Sequence, residues 1–476
     1  MAGSGPDWDA LRRGIAGQVD LPGSAAHERA RPPFIAWFDD PEPSAVVRCA
    51  TAEDVAEAIA FARRHGLPLA ARGGGHSFAG HSSTRGLVID VSPMRTVEVA
   101  DGVARVGAGA RLGELYERLL AHGLAIPAGT CPSVGIGGLT LGGGHGVLGR
   151  AEGLTLDNLL AARVVLADGS VVDCDEHYHD DLFWALRGAG AGNFGVVTSF
   201  TFRPRPAPRM TNFHLVWSFA HAAAVIAAWQ RWAPHGPDQL AADLALTAAG
   251  SSAAEPEVEV YGAVLAGGPS ASELLDDLVG RAGADPLSHD CRELSWHETV
   301  RYQGRLSGSA DQGPAAPRQP THRDRRFTKS ELFDRPLPGQ AIARLVDNFG
   351  RPRAPGQRRG VELAAWGGAY NRRPPDATAF AHRDQLFMVE HLSSVGPEAT
   401  PADQRAAHQW VRRSWACLHP WGSGRVYPNF PDPELDDWGS AYYGRNYPRL
   451  LAIKSRYDPD AVFRFPQSLP ARARAS

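Results

Sequence analysis

Two nucleophilic side chains, far apart in the chain, stand in glycine-rich backbone. His76 follows three glycines in Arg72-Gly73-Gly74-Gly75-His76-Ser77, and Cys131 sits in Gly129-Thr130-Cys131-Pro132-Ser133-Val134-Gly135. An imidazole or a thiolate can form a covalent bond to an electrophilic carbon. Backbone free of Cβ atoms can approach a phosphate or a flat ring closely, and successive N–H groups can converge on an anion. A diphosphate is the natural guest of the first loop. Taken alone, that loop is better read as a tight strand-to-helix turn with a surface histidine. It lacks the Lys-Ser/Thr of a nucleoside-triphosphate loop and the Gly-x-Gly-x-x-Gly spacing of a dinucleotide turn.

The second segment runs on into Gly135, Gly137, Gly138, Gly142, Gly143, Gly144 and Gly146. Each glycine in regular structure costs about 0.5–1 kcal/mol of stability. Val134, Ile136, Leu139, Leu141, Val147 and Leu148 interleave with them and want burial, so a flexible linker is a poor reading. A closely approached cofactor is the better one, with His145 packed beside it. A third cluster, residues 187–195, includes Asn193 and Gly195 and leads into the strand-like Val196-Val197-Thr198-Ser199-Phe200. By itself it could be any glycine turn.

The elements that must hold these loops can be read from periodicity. Residues 46–51 read as a strand ending at a helix cap, with Thr51 and Asp54 as a capping box. Val55, Ile59 and Ala62 then recur at helical spacing. Strands follow at 67–71 and 87–91, hairpins around Asp101-Gly102 and Asp168-Gly169, and a helix at 112–122. This alternation indicates α+β or α/β architecture. Residues 203–209, Arg-Pro-Arg-Pro-Ala-Pro-Arg, read as a break and a domain boundary. Beyond it, helical patterns at 220–232 and 270–282 alternate with strand-like runs at 258–264 and 387–392. Residues 306–326 read as a long loop, and 425–432 as a short strand into a turn. A helix opens near Tyr442 and stops at Tyr457-Asp458-Pro459. No internal repeat is present.

At 476 residues the chain predicts two or three domains. Its net charge of -3 gives no electrostatic reason to expect nucleic acid. No window reaches the roughly 20 apolar residues of a membrane span, and the first residues carry no export signal, so a soluble, cytoplasmic protein is expected. The five cysteines are scattered without zinc or dithiol spacing. His177-Tyr178-His179-Asp180-Asp181 reads as a helix start, and no metal is expected.

Together the segments are much more specific. Residues 72–77, Gly129-Thr130-Cys131-Pro132-Ser133-Val134-Gly135, Gly192-Asn193-Phe194-Gly195-Val196-Val197 and the tail Tyr443-Gly444-Arg445-Asn446-Tyr447 with Tyr457-Asp458-Pro459 and Phe463-Arg464-Phe465-Pro466-Gln467-Ser468 resemble the vanillyl-alcohol-oxidase-type flavoproteins. Within them the likeness is to the berberine-bridge-enzyme-like FAD-linked oxidases. It covers roughly residues 40–206 and 425–476. The resemblance implies an α+β fold with a PCMH-type FAD-binding domain of two subdomains, residues 1–206, to which segment 425–476 returns. It also implies a substrate domain at 207–424, an antiparallel sheet backed by helices, with the flavin ring at the junction.

What the resemblance implies for the site is specific. FAD would be held bicovalently, through its 8α methyl to His76 and through ring carbon 6 to Cys131. Arg72, Gly73, Gly74, Gly75, Ser77, Gly135, Gly137, Gly138, Gly142, Gly143, His145, Gly146, Asn193, Gly195 and Val197 would cradle it, with Tyr443 and Asn446 completing the wall. Val134, three residues after the cysteine, resembles the open form of an oxygen gate; plain core packing is the alternative. Many relatives use the second tyrosine of Tyr-x-Asn-Tyr as base, but here the segment reads Tyr427-Pro428-Asn429-Phe430, and Phe430 cannot accept a proton. The run 382–391 resembles the strand that carries an active-site carboxylate in this family, which makes Glu390 the leading candidate base, a solvated residue or a salt bridge with an Arg being the alternative; Tyr427 would be a relay or substrate orienter, while His391 points to the opposite side of its strand. The expected function is an oxidase of secondary metabolism. It would remove hydride from an alcohol, phenol-type or amine carbon of a bulky small molecule and pass electrons to O2, giving H2O2. A dehydrogenase with another acceptor, or a non-catalytic flavin-binding protein, are the alternatives. Neither nucleic acid nor membrane is an expected partner, and oligomeric state is open.

Overall fold

The computed structural model describes residues 5–189, 192–251, 254–307 and 323–471. The first sheet contains β1 (Gln18–Asp20), β2 (Ala45–Arg48), β3 (Leu69–Arg72) and β4 (Leu87–Asp90), in the order β1-β2-β4-β3. β2, β4 and β3 run parallel, and their burial on nearly every residue suits a sheet covered on both faces. Helix α1 (Ala52–Arg64) carries the expected capping box: Asp54 N donates to Thr51 Oγ1 and Thr51 N donates to the Asp54 carboxylate. That carboxylate also accepts from Ala16 N, Gly17 N and Ala50 N. The short Asp side chain thus pins the N-terminal segment as well as the helix. The first glycine loop leaves the end of β3.

The second sheet is antiparallel: β5 (Val97–Ala100), β6 (Val103–Gly107), β7 (Leu159–Leu166), β8 (Val171–Asp175) and β9 (Gly195–Phe202), ordered β5-β6-β9-β7-β8. Asp101 and Gly102 both take positive φ, the signature of a tight hairpin. Helix α2 (Leu112–Leu120) packs one apolar edge into the shared core. The glycine-dense segment is not irregular throughout, for residues Ile136–Gly142 form a short helix, α3. A Cβ on Gly137 would lie 2.8 Å from the Ala108 carbonyl, so glycine lets α3 lie directly against the segment after β6.

A seven-stranded antiparallel sheet follows: β10 (Arg209–Ser218), β11 (Leu240–Ala248), β12 (Glu257–Leu265), β13 (Ser288–Ser295), β14 (Arg325–Phe333), β15 (Arg358–Ala365) and β16 (Phe387–Val395). Its order is β13-β10-β12-β11-β15-β16-β14. Helices α4 (Ala222–Trp232), α5 (Ala271–Ala282), α6 (Gly339–Gly350) and α7 (Pro401–Leu418) share one apolar core with residues of alternate strand positions, such as Leu244, Val361, Leu363, Phe387 and Val389. The intervening positions point to the other face and are unusually polar. The period of two makes that partition unavoidable.

The tail returns to the first two sheets through α8 (Trp438–Tyr443) and α9 (Tyr447–Tyr457). Fully buried Lys454 Nζ donates to Asp458 and to the Asn193 and Phe463 carbonyls, tying α9 to the third glycine turn. Several expectations need correction. Residues 425–432 form turns rather than a strand, because Pro428 and Pro431 lack the N–H a ladder needs. Arg205–Pro206 makes a two-residue bridge with Leu124–Ala125 instead of only breaking structure. The expected loop ends earlier than 326, since β14 begins at Arg325; its residues 308–322 lie outside the described residues, as do Gly190 and Ala191. Among the described residues no helix is long and apolar enough to cross a membrane.

Candidate active site

One large cavity of about 460 Å³ lies between the glycine loops and the polar face of the seven-stranded sheet. His76 and Cys131 meet on its wall. Ser133 Oγ lies 3.2 Å from His76 Nε2 and 3.4 Å from Cys131 Sγ, so one hydroxyl touches both nucleophiles. Phe34 stacks on the imidazole at 3.8 Å between centroids. Burial, together with the Arg111 and Arg326 cations, pulls the His76 pKa down to about 3. The ring is therefore neutral at physiological pH and keeps a lone pair for bonding. The two loops themselves touch: a Cβ on Gly74 would lie 2.3 Å from Gly135 N. Only glycine at both positions lets His76 and Cys131 come together.

The other expected cofactor residues divide into two groups. Gly73, Gly74, Gly75, Ser77, Val134, Gly135, Gly137, Gly138, His145, Gly146, Asn193, Gly195, Val197 and Tyr443 all line the cavity. A Cβ on Gly138 would meet nothing within 4 Å, so this helix position leaves open space. Arg72 also lines the cavity, and its guanidinium donates to the Ser82, Ala30 and Arg31 carbonyls and braces the loop. Gly142 and Gly143 lie off the cavity; they make room for Asn429 and the Tyr427 ring. Asn446 also lies off it, its amide donating to the Pro375, Thr378 and Ala379 carbonyls. Gly142, Gly143 and Asn446 are scaffold rather than cradle.

The opposite wall carries titratable groups that alternation placed there. Glu390 on β16 lines the cavity and pairs with Arg326 at 3.4 Å. Burial raises its pKa to about 7; Arg326 opposes the rise and Glu362 adds to it. His391, the next residue, faces α7, with Nδ1 2.8 Å from Ser414 Oγ. Tyr427 is 1% exposed, and its hydroxyl accepts from Gly144 N at 2.7 Å, His145 N at 3.3 Å and Asn429 Nδ2 at 3.1 Å. Burial pushes its pKa up to about 12, so the hydroxyl stays protonated and anchors the glycine loop from the cavity wall. Phe430 stacks on Phe78 at 4.9 Å, which makes an apolar wall.

Sequence reasoning missed Ser133, Arg326, Tyr261, Asp243 and Glu362, all but Ser133 lining the cavity. A signal existed for two of them. Asp243 sits between Ala242 and Leu244, and Glu362 between Val361 and Leu363, all in the apolar core, so each must point to the far side of its strand. Nothing in the sequence says that this far side is covered.

The donor set fits an FAD. Two glycine loops, a neutral imidazole and a thiol converge on one cavity broad enough for a flat ring system, and no Cβ intrudes at the approach points. Two family models match the chain: an FAD binding domain over residues 43–175, and a berberine and berberine-like segment over residues 426–470. An uncharacterised FAD-linked oxidoreductase of Bacillus subtilis, YgaK, is 35% identical over 442 residues, covering 91% of this chain and 92% of its own. The chitooligosaccharide oxidase of Gibberella zeae is 31% identical over 454 residues, covering 91% and 88%. The solved structure of BBE-like 1 from Physcomitrella patens superposes with a TM-score of 0.88 at 28% identity, covering 98% of this chain and 99% of that one. By fold, sequence and the loops around its cavity, the chain belongs to the berberine-bridge-enzyme-like FAD-linked oxidoreductases.

Proposed function

We propose that the protein is an oxidase that takes two electrons from an alcohol, phenol-type or amine carbon of a bulky small molecule, such as a sugar or secondary metabolite, and delivers them to O2. Bound FAD would supply the two-electron acceptor for the substrate's hydride and, on reoxidation by O2, yield H2O2. The observation that carries this reading is the position of Glu390: a carboxyl with a pKa near 7 shares one cavity with His76 and Cys131. Such a carboxylate can accept a substrate proton at neutral pH, in step with loss of hydride from the same substrate. The neutral state of His76, and Ser133 between it and Cys131, support attachment of the cofactor through both side chains. Two bonds would hold the ring without side-chain walls and leave room for a large substrate. Residues 207–424 would then bind substrate, and residues 1–206 with 425–476 the cofactor.

Val134 on the cavity wall, small and half-buried, supports O2 as acceptor. The test is anaerobic reduction of the yellow protein by a panel of oligosaccharides, alcohols and aromatic amines, followed by mixing with aerated buffer. Fast reoxidation with H2O2 release is expected; slow reoxidation would favour a dehydrogenase. Glu390→Gln should slow flavin reduction by about 10²–10⁴-fold while the cofactor stays bound.

A further inference from the structure

The sheet strands facing the cavity bring three ionisable groups to one point. Glu390 on β16 lies directly opposite Glu362 on β15, the two being Cα partners in the ladder. Two like-charged side chains directly opposite on one sheet face repel each other. On the other flank, β14 presents Arg326, whose guanidinium meets Glu390 at 3.4 Å. Both neighbours are themselves fixed. Tyr261 OH donates to Glu362 Oε1 at 2.8 Å. Arg326 lies over the Phe78 ring at 5.5 Å, and Phe78 in turn stacks on Phe430. The buried Arg326 Nε has no hydrogen-bond partner among the described residues, so a buried donor is tolerated at this spot.

We propose that Arg326 and Glu362 are positioning residues that hold Glu390 between opposed charges and so set which protonation form of it faces the substrate. The inference rests on the reading of Glu390 as the base. Arg326 favours the carboxylate and Glu362 favours the protonated acid. Burial raises the Glu390 pKa most, Glu362 adds to the rise and Arg326 limits it, and burial raises Glu362 as well. Other groups around Glu390 complete the setting. Ser330 is its partner on β14, and Asp243 on β11 and Tyr261 on β12 continue the polar row, with Glu259 and His214 beyond. From the facing wall come His76, His145 and Tyr427. The imidazoles there are held neutral by burial, so Arg326 is the cation nearest to Glu390. This arrangement explains how a chain with Phe430 in place of a tyrosine can still present a base of suitable strength.

The test uses the FAD-loaded protein without substrate. Infrared difference spectra across pH report the protonated-carboxyl C=O band, assigned to Glu390 by its loss in Glu390→Gln. The wild-type band should titrate with a midpoint near 7. Arg326→Gln should move the midpoint up by about one pH unit and Glu362→Gln should move it down by about as much. Arg326→Lys, which keeps the charge, should stay close to wild type. An unmoved midpoint in both Gln variants, or movement in the same direction, overturns the proposal. If Arg326→Gln fails to fold, Glu362→Gln alone decides, because a static or rising midpoint there overturns it. An unaltered rate of flavin reduction in Glu390→Gln would remove Glu390 as base yet leave this titration result intact, so the two failures are distinguishable.

Discussion

At the scale of single residues, the His76–Ser133–Cys131 contact is the most informative. An imidazole with its pKa drawn to about 3 and a half-buried thiol share one hydroxyl. Acid precipitation of the yellow protein should leave the colour in the pellet, and His76→Ala and Cys131→Ala should each retain colour through the remaining bond. The double variant should release it to the supernatant. Peptide mapping of the pellet checks both bonds, and colour released from the wild-type protein would rule out covalent attachment. Ser133→Ala should slow the appearance of both adducts, because each nucleophile loses the partner that orients it. The types of His76 and Cys131 were legible in the sequence because glycine runs marked their surroundings. Ser133 was not, because a serine after proline carries no signal until the loops are folded together. The anchoring role of Tyr427 has the same origin. A motif records that a tyrosine is present but not that three N–H groups reach its oxygen.

At the scale of elements, strand alternation and glycine geometry do most of the work. The strands at 87–91, 258–264 and 387–392, the helix cap at Thr51 and the hairpin at Asp101-Gly102 were readable because propensity, period and turn chemistry agree there. The helix Ile136–Gly142 was not, since four of its seven residues are Gly or Thr, types with weak helical preference. Tertiary packing decides it: α3 fits beneath Asn429 and against Ala108 only without side chains. The cost of a misplaced methyl is therefore local. Gly143, at φ 149 with the Tyr427 ring 2.7 Å from its virtual Cβ, should lose about 1–3 kcal/mol on change to Ala. Gly138→Ala, which meets nothing, should leave stability unchanged or slightly raised. Urea denaturation of both variants checks the contrast, and equal losses would contradict it.

At the scale of the whole molecule, buried histidines couple folding to pH. His382 and His391 are both fully buried, and burial draws each pKa to about 3. Between pH 6.5 and 3 the unfolded chain binds a proton at each that the folded chain refuses, so stability is lost as pH falls through this window. Glu390 acts in the opposite sense. Its folded carboxyl holds a proton between pH 4.5 and 7 that the unfolded chain has released, which favours folding as pH falls there. The clean measurement is a comparison: His391→Asn keeps a partner for Ser414 but cannot be charged. Its melting temperature should fall less steeply than that of wild type between pH 6.5 and 4. A parallel pair of curves would show that His391 titrates normally in the fold.

The chain has two lysines, Lys329 and Lys454, and both are spent on joining the tail to the rest. Lys329 binds Asp432 at 2.6 Å and Glu434 at 2.8 Å, with 8% of its side chain exposed, and Lys454 has none of its side chain exposed. Acylating dyes, aldehyde fixatives and amine-coupled surfaces thus find no accessible ε-amino group while the tail stays docked. Tagging at either lysine reports that the final segment has peeled away.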